Sequence, residues 1–316
     1  MVPQYQKNIS LIFIDMKYKK ISVQDIVTFL RAENVQVIGK ASNCYVDNLA
    51  DVAHTNETTL DWINPAKPNK QAIAEGSKAK VILVDREVLP IKDKVLLVVG
   101  NPKVCLARIG NEYFADKPTP GIHPTAIVDP QAKLGSDVCV GPHCVIGKAV
   151  IGDGTVIESH VRIYDCVTMG KNCHIKDGAI LGGAGFGFEK DEHGNRFRFP
   201  QIGSLIMGDE VEVGGNTCID RGALSDTIIG SHTKINNLCH IAHNNVIGEN
   251  VEITGCVNVS GGNIIDDNVW LAPNSSLVGY IHIGEGAVLG MGAVAVKDIP
   301  ANEIWVGNPA KFLKKK

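Results

Sequence analysis

From Ile229 to Ala295 every sixth residue is apolar, and no other feature of the sequence constrains the fold as strongly. The positions at this step are Ile229, Ile235, Ile241, Ile247, Ile253, Val259, Ile265, Leu271, Leu277, Ile283, Leu289 and Ala295. Earlier stretches keep the same step over 122–146, 151–181 and 207–219. Neither the 3.6-residue period of an α-helix nor the two-residue period of a strand produces such a spacing.

A period of six predicts a parallel β-helix, in which each hexad forms a short strand and a corner and three hexads form one coil. The aliphatic residue of each hexad points inward, and a smaller residue four positions later fills the remaining space. These smaller residues are Thr233, Cys239, Val251, Val257, Val269, Ser275, Ala287 and Ala293. Repeats of this kind are associated with left-handed coils, an exception to the usual right-handed crossover. The fold class is therefore mainly β, a left-handed parallel β-helix, whose narrow interior explains an aromatic content of only 5%.

Composition and charge narrow the function classes. The chain has 31 basic and 34 acidic residues, and a net charge of −3 lacks the basic excess of a general nucleic-acid-binding protein. The apolar patch Leu11–Ile14 is too short for a signal peptide, and no run approaches the ~20 apolar residues of a membrane span. Nine scattered cysteines without a Cys-x-x-Cys pair do not indicate a disulfide framework, so we expect a cytoplasmic protein.

Three regions are expected along the chain. Residues 1–115 have the pattern of a small α/β domain, residues 116–299 form the β-helix, and residues 300–316 are a C-terminal tail. In the first region Ser22 caps a helix over 23–30, and further helices are predicted over 68–76 and 103–109. Short strands are predicted at Val35–Ile38, Val81–Val84 and Val95–Val98, and Lys117–Gly121 has the composition of a linker.

The six-residue pattern is interrupted at two places. Residues 182–201 form a loop that carries four of the eight phenylalanines, including Phe186, and long aromatic loops on a rigid scaffold commonly serve binding. Between Ile219 and Ile229 ten residues replace six, and this polar bulge contains Asp220. We expect the functional surface near these interruptions.

One outward-facing stack suggests a chemistry. His243 lies two residues after an inward isoleucine, and steps of 18 residues lead to Gly261, Gly279 and Lys297. A histidine above two positions without side chains leaves a groove for a thin ligand, with backbone N–H groups able to stabilise an oxyanion. A neutral imidazole can accept a proton from an attacking group near pH 7, and the lysine could meet a phosphate. The stack favours acyl transfer to an amine or a hydroxyl.

Four motifs carry a resemblance to a known family: 185–188 (GFGF), 200–203 (PQIG), 219–224 (IDRGAL) and 241–244 (IAHN). With residues 122–295 as a whole, they resemble the hexapeptide-repeat acyltransferases, and in particular the UDP-3-O-(3-hydroxyacyl)glucosamine N-acyltransferases of lipid A biosynthesis. The resemblance implies a homotrimer, His243 as general base and Gly261 as oxyanion donor. It also implies a nucleotide-sugar acceptor whose base binds the N-terminal domain at Trp62 and Asn64.

The sugar and acyl-donor groove is expected to include Phe186, Asp220, Asn244, Gly279, Tyr280, Lys297 and Lys311. Three residues differ from the family pattern: Tyr280 replaces a second histidine, Asn236 an aspartate and Lys67 an aromatic residue. The Asn308–Lys311 motif resembles the ending of acyl-CoA-dependent sugar acetyltransferases, and the basic terminus suits the phosphates of CoA.

Two enzymatic readings follow. The first is N-acylation of a nucleotide-linked amino sugar from a CoA thioester, with 3-hydroxyacyl groups among the candidates and a role in cell-surface polysaccharide synthesis. The alternative is the lipid A enzyme itself, which uses an acyl carrier protein as donor and partner. Neither reading needs a tightly bound cofactor or a metal. A zinc site resembling that of β-helix carbonic anhydrases is disfavoured by the spacing of His240 and His243, and a pure scaffold role by the additional domain and the long loop.

Overall fold

The structure is a computed structural model that describes residues 20–316, so the Leu11–Ile14 patch lies outside the described residues. The chain separates into two compact units, with the boundary between Lys117 and Pro118, inside the expected linker. Within residues 20–316 no helix is long and apolar enough to cross a membrane.

The first unit is an α/β domain. Its helices are α1 (Val23–Phe29), α2 (Lys70–Gly76) and α3 (Pro102–Tyr113), with a 3-10 turn at Arg31–Glu33. Its main sheet runs in the order Gln36–Ile38, Val95–Val98, Val81–Val84, Leu60–Trp62, and only the first pair is antiparallel. Ile21–Ser22 pairs separately with Tyr45–Val46. The hydroxyl of Ser22 accepts a hydrogen bond from the backbone N–H of Asp25 at 3.0 Å, which confirms the predicted helix cap.

The sheet of the first unit is covered on both faces. Alternate strand residues such as Leu83 pack with Ile26 of α1 and Ile109 of α3, while Ile82 packs with Ala74 of α2. The alternation of side chains along a strand therefore divides this unit into two apolar clusters.

The second unit is the predicted β-helix, built within residues 118–316 from three sheets that are parallel except at the last strand of the first. The first contains Gly121–Ile122, Cys139–Val140, Val156–Ile157, His174–Ile175, Glu212–Val213, Lys234–Ile235, Glu252–Ile253, Trp270–Leu271, Val288–Leu289, Glu303–Val306 and Lys311–Lys315. The second contains Ile127–Val128, Val145–Ile146, Arg162–Ile163, Ile180–Gly183, Cys218–Asp220, His240–Ile241, Asn258–Val259, Ser276–Leu277 and Val294–Ala295. The third contains Lys133–Leu134, Val150–Ile151, Val167–Met169, Leu205–Met207, Thr227–Ile229, Val246–Ile247, Ile264–Ile265 and His282–Ile283.

The interior of the β-helix follows the repeat. All the aliphatic positions predicted from Ile229 to Ala295 are at most 2% exposed, and so are the smaller residues predicted beside them. Strand pairing keeps the 18-residue step, as in the pairing of Ile241 with Val259 and of Val259 with Leu277. Each inward side chain thus stacks on its counterpart one coil away.

The C-terminal segment 300–316 differs from the expected tail. Glu303–Val306 pairs with Val288–Leu289 and extends the first sheet, and Lys311–Lys315 folds back on it as an antiparallel strand. The indole of Trp305 is buried in the same core as the repeats. The expectation of a separate tail was wrong because the edge of the last coil offers a strand to pair with.

Candidate active site

A cavity of about 770 Å³ lies on the second unit beside His243. Apolar and polar side chains share its wall. The lining residues are Phe186, Gly187, Phe188, Glu189, Arg196, Phe199, Gln201, Ala223, Leu224, Ser225, His243, Asn244, Val246, Gly262, Ile264 and Tyr280. A mostly apolar concavity with a few convergent polar groups has the usual character of a small-molecule site.

The predicted stack of His243 over glycines is present. A β-carbon placed on Gly261 would lie 2.9 Å from Cε1 and 3.1 Å from Nε2 of His243, so the imidazole rests directly on the glycine of the next coil. The N–H of Gly262 donates to the carbonyl of His243 at 3.0 Å, and the N–H of Tyr280 donates to the carbonyl of Gly261 at 3.1 Å. These bonds link three successive corners that carry the site.

Asn244 fixes the protonation pattern of the imidazole. Its side-chain nitrogen donates to the carbonyl and the hydroxyl of Ser225, at 3.0 and 2.7 Å, and its Oδ1 accepts from the N–H of Ala223 at 3.1 Å. The same Oδ1 lies 2.9 Å from Nδ1 of His243. Because this oxygen can only accept, Nδ1 of the neutral imidazole carries the hydrogen, and Nε2 carries a lone pair.

One backbone N–H of the stack, that of Gly261, has no partner within the described residues. It donates to no acceptor among residues 20–316, whereas the neighbouring Gly262 N–H is engaged by His243. A β-carbon on Gly279 would lie 2.8 Å from the carbonyl oxygen of Gly261 and 3.9 Å from its nitrogen, so a glycine at 279 keeps this part of the corner uncovered. Gly261 and Gly279 are not among the residues that line the cavity, whereas His243, Gly262 and Tyr280 are. An N–H without a protein partner at such a corner is a candidate donor to a developing oxyanion.

A ladder of buried amides supports these corners from inside. Asn245 donates to the carbonyl of Ala242 at 2.6 Å, and its Oδ1 accepts from the N–H of Asn263 at 2.9 Å. Asn263 repeats the pattern with the carbonyl of Ser260 and the N–H of Ile281, at 2.6 and 3.0 Å. Both asparagines are fully buried, so their bonds hold successive corners at a fixed spacing.

The long loop closes one side of the cavity as a hairpin. Phe188–Lys190 pairs with Arg196–Arg198, and the rings of Phe186 and Phe188 meet edge to face with centroids 5.0 Å apart. The loop touches the histidine at Gly185, where a β-carbon would lie 2.9 Å from Cδ2 of His243. This glycine allows the loop backbone to reach the imidazole.

The bulge between Ile219 and Ile229 is joined to the end of the loop. The N–H of Ile202 donates to the carbonyl of Ala223 at 2.7 Å, and Nε of Arg221 donates to the carbonyl of Gly203 at 2.7 Å. A β-carbon on Gly203 would lie 2.1 Å from the carbonyl oxygen of Ser225, so the two segments meet too closely for any side chain there. Both interruptions of the repeat thus contribute to one site, as expected.

The other predicted groove residues divide into two groups. Phe186, Asn244 and Tyr280 line the cavity with His243. The ring of Tyr280 lies on Gly262, whose β-carbon would be 2.6 Å from Cδ1 and Cε1 of the ring. Gly262 adopts a φ of +76° there and Tyr280 a φ of +62°, a backbone conformation uncommon for a bulky side chain.

Asp220, Lys297 and Lys311 do not line this cavity of the single chain, and their assignment to the groove stays a prediction. Asp220 Oδ2 lies 3.1 Å from Nε2 of His240, and this hydrogen bond raises the pKa of His240. The ammonium of Lys297 lies over the ring of Trp305, 5.1 Å from its centroid, and Lys311 belongs to the last strand. Contacts with His240 and Trp305 account for the positions of the first two side chains.

Trp62 and Asn64 belong to the first unit. Trp62 is half-buried and packs against the apolar cluster of α1 and α3, while Oδ1 of Asn64 accepts a hydrogen bond from the N–H of Ala66 at 3.0 Å. Their assignment to a nucleotide base stays a prediction.

Sequence reasoning missed several lining residues, among them Gln201, Leu224, Val246 and Ile264. The last two had a detectable signal, because each is an aliphatic residue that precedes an inward position and therefore points outward. Gln201 and Leu224 lie within the interruptions, where the repeat predicts no side-chain direction, but both belong to the motifs 200–203 and 219–224 that carry the family resemblance.

Comparison with known proteins agrees with this geometry. Residues 148–183 match the sequence model of the bacterial transferase hexapeptide (six repeats) family. The chain is 33% identical over 243 residues to the UDP-3-O-acylglucosamine N-acyltransferase of Polynucleobacter asymbioticus, covering 66% of this chain and 68% of that protein. The enzyme of the same name from Coxiella burnetii is 34% identical over 222 residues, and the match spans 64% of each chain.

Solved structures of related acyltransferases share the fold. LpxA of Acinetobacter baumannii aligns with a TM-score of 0.56 at 30% identity, covering 61% of this chain and 74% of that one. The UDP-N-acetylglucosamine acyltransferase of Francisella novicida aligns with a TM-score of 0.57 at 25% identity, covering 62% and 70%. They confirm the predicted left-handed β-helix. From the repeat, the site motifs and these similarities together, the chain belongs to the UDP-3-O-acylglucosamine N-acyltransferase family of hexapeptide-repeat proteins.

Proposed function

We propose that this protein transfers an acyl group from a pantetheine thioester to the amino group of a nucleotide-linked amino sugar. The observation that carries the proposal is the His243 imidazole on the wall of one cavity, with its Nε2 lone pair set by Asn244 and its ring resting on Gly261. The N–H of Gly261 donates to no acceptor among residues 20–316, which supports its role as a donor to the substrate. The acceptor we propose is UDP-3-O-acylglucosamine, the compound in the shared name of the relatives. This acceptor fits the alternative interpretation of the sequence, the lipid A N-acyltransferase, better than the first and broader one, a CoA-dependent enzyme acting on a nucleotide-linked amino sugar.

The chemistry begins with the neutral amine of the acceptor. Its nitrogen attacks the thioester carbonyl carbon, a C–N bond forms, and Nε2 of His243 takes one of the two amine protons. The C–S bond then breaks, and the imidazolium returns that proton to the departing sulfur. The hydrogen bond from Nδ1 to Asn244 keeps the imidazole in the orientation and tautomer that both transfers require.

Gly261 supports the same step. As nitrogen attacks, the carbonyl oxygen gains negative charge, and the free backbone N–H stabilises it. Removal of one such donor typically costs about 10²–10³ in rate. The donor is part of the backbone, so its position depends on the corner bonds to His243 and Tyr280.

The pantetheine thioester is common to acyl-CoA and to acyl carrier protein. The two sources are separated by parallel assays with UDP-3-O-acylglucosamine and each donor. The CoA preference of the first reading predicts turnover with acyl-CoA, whereas turnover with the carrier-protein thioester alone would reject it. The lysines of Lys311–Lys315 are exposed on the last strand. Replacing them should lower the affinity for the acyl donor, since both CoA and acyl carrier protein are acidic.

We also propose that the protein is a homotrimer. The third sheet carries a row of partly exposed aliphatic side chains aligned from coil to coil: Val150, Ile206, Ile228, Val246 and Ile264. Such a row stabilises an interface between copies when it is covered. Light scattering of the purified protein tests the trimer, and a monomer at micromolar concentration would reject it.

The decisive test of the reaction is His243→Ala, with His232→Ala as the matched control. His232 lies at another corner, where its Nδ1 contacts Glu210 at 3.2 Å, away from the cavity. We expect His243→Ala to lower kcat about 10²–10⁴-fold with an unchanged circular dichroism spectrum, and the control to retain activity. Equal activity of wild type and His243→Ala would remove the proposed base from the mechanism.

A further inference from the structure

One polar atom of the site has no partner. The side-chain oxygen of Gln201, Oε1, is buried and accepts no hydrogen bond from residues 20–316. The other orphan of this kind within the described residues, the hydroxyl of Ser275, lies in the core of the β-helix, whereas Gln201 lines the site cavity. Buried polar atoms are nearly always paired, so an unpaired acceptor at a ligand cavity calls for a donor from the ligand.

The direction of the amide is fixed by its other end. Nε2 of Gln201 donates to the carbonyl of Phe199 at 3.4 Å. If the amide were turned over, its oxygen would face that carbonyl oxygen and lose this bond. The free acceptor therefore points to the opposite side, where a β-carbon on Gly185 would lie 3.0 Å from Oε1.

The same point beside Gly185 is also in contact with the imidazole. A β-carbon there would lie 2.9 Å from Cδ2 of His243, so Oε1 of Gln201 and the His243 ring both lie close to the backbone of Gly185. The oxygen is covered in the free protein by this part of the loop. Gly185 and Gly187 have no side chains to lock the covering backbone, and Phe186 between them is 85% exposed. For the acceptor to reach a bound substrate, this segment must shift slightly when the substrate binds.

We propose that Oε1 of Gln201 accepts the second N–H of the attacking amine and thereby makes the site selective for nitrogen over oxygen nucleophiles; this inference rests on the proposed function. A primary amine has two N–H bonds. One proton goes to Nε2 of His243 during attack, and the other remains on nitrogen through the reaction and becomes the amide N–H of the product. An attacking hydroxyl has one hydrogen, which the histidine removes, so nothing would remain to satisfy Gln201.

The same oxygen should make the site bind an amide product more tightly than the corresponding ester. The amide product can donate its N–H to Oε1, whereas an ester in the same place offers only an oxygen that repels it. A hydrogen bond of ordinary net strength corresponds to about 10-fold in affinity. The role assigned to Gln201 is thus specificity: it orients the amine, and His243 performs the proton transfer.

The experiment compares Gln201→Met with wild type. Methionine keeps the length of the side chain and removes the acceptor, and Gln131→Met at an exposed corner is the matched control. Calorimetry measures the Kd of the diacyl amide product and of its ester isostere, in which the 2-amide N–H is replaced by oxygen. We expect wild type and Gln131→Met to bind the amide at least about 10-fold more tightly, and Gln201→Met to bind the two within about 3-fold.

Each outcome of these measurements supports or overturns the role of Gln201. A wild-type enzyme that binds amide and ester equally, or a Gln201→Met variant that keeps the full preference, overturns the inference. Only folded protein binds, so partial unfolding of the variant leaves the ratio of the two Kd values unchanged. Turnover separates the inference from its basis: a wild-type enzyme that acylates the amine with neither thioester refutes the proposed function, whereas normal N-acylation with an unchanged preference in Gln201→Met refutes only the role of Gln201.

Discussion

Replacing Gly261 with alanine should slow acyl transfer while leaving the fold intact. The new β-carbon would lie 2.9 Å from Cε1 of the His243 ring, 3.1 Å from Nε2 of the same ring and 3.1 Å from the backbone carbonyl oxygen of His243. The backbone of Gly261 does not adopt the left-handed conformation, unlike that of Gly262, so alanine fits without torsional strain. The effect of the substitution therefore falls on the imidazole.

The magnitude follows from these distances. Carbon atoms in contact prefer separations of about 3.5–4.0 Å, so the ring must move by roughly 0.5–1 Å. A misplacement of about 1 Å in a catalytic group can cost about 10²-fold in rate. We expect kcat to fall about 10–100-fold, or about 1.4–2.7 kcal/mol in the activation free energy. Alanine retains the backbone N–H, so the oxyanion donor itself is not removed.

The assay is the steady-state rate with saturating UDP-3-O-acylglucosamine and the active thioester. Gly255→Ala is the control, because a β-carbon there has its nearest contact at 3.7 Å. In a His243→Ala background Gly261→Ala should have little further effect, since the ring that it displaces is gone. An unchanged kcat in the single variant, or fully additive losses in the double variant, would refute the reasoning.

Two further predictions concern neighbouring groups. Asp220→Asn should lower the pKa of His240, because the hydrogen bond from Asp220 raises it; an unchanged imidazole titration by NMR would contradict this. Because the pKa of His240 is higher in the folded state than in the unfolded state, its protonation stabilises the fold at pH values below the unfolded pKa near 6.5. This stabilisation is lost as the pH rises through the folded-state pKa. Asp220→Asn should therefore lower the free energy of unfolding at pH 5 and change it little at pH 9. Asn245→Ala leaves the carbonyl of Ala242 and the N–H of Asn263 unpaired, and should lower the free energy of unfolding by about 2–4 kcal/mol in urea denaturation; a loss below about 0.5 kcal/mol would exclude a structural role for the ladder.

The β-helix could be predicted from sequence because each hexad forms the same short strand with one aliphatic residue pointing inward. An inward aliphatic residue such as Ile253 contacts its counterparts one coil away, so the step of 18 residues sets the strand pairing. The first unit was harder. Val81–Val84 and Val95–Val98 matched the prediction, but α3 extends to Tyr113, beyond the predicted end at residue 109. Its last turn lacks a strong stop signal such as proline, and packing rather than propensity sets its length.

The candidate site was partly predictable for the same reason. His243 and Gly261 follow from the repeat register, which gives their corner and their order along the stack. The position of Asp220 outside this cavity has a clear cause: Cys218 pairs with His240, so the carboxylate meets His240 on the adjacent coil and is held there. Register predicts which residues are neighbours, but not which of two nearby partners a charged side chain selects.

The remaining site residues depend on a contact between the two interruptions that no periodicity encodes. The loop end and the bulge satisfy one another's backbone groups, with the N–H of Gly203 donating to the carbonyls of both Gly222 and Ala223. Either insertion alone would leave these groups without protein partners. Because the two meet, Gln201 from the loop and Ser225 from the bulge line the same cavity as His243 and Asn244. The repeat thus positions His243, and the paired insertions supply side chains that complete the cavity around it.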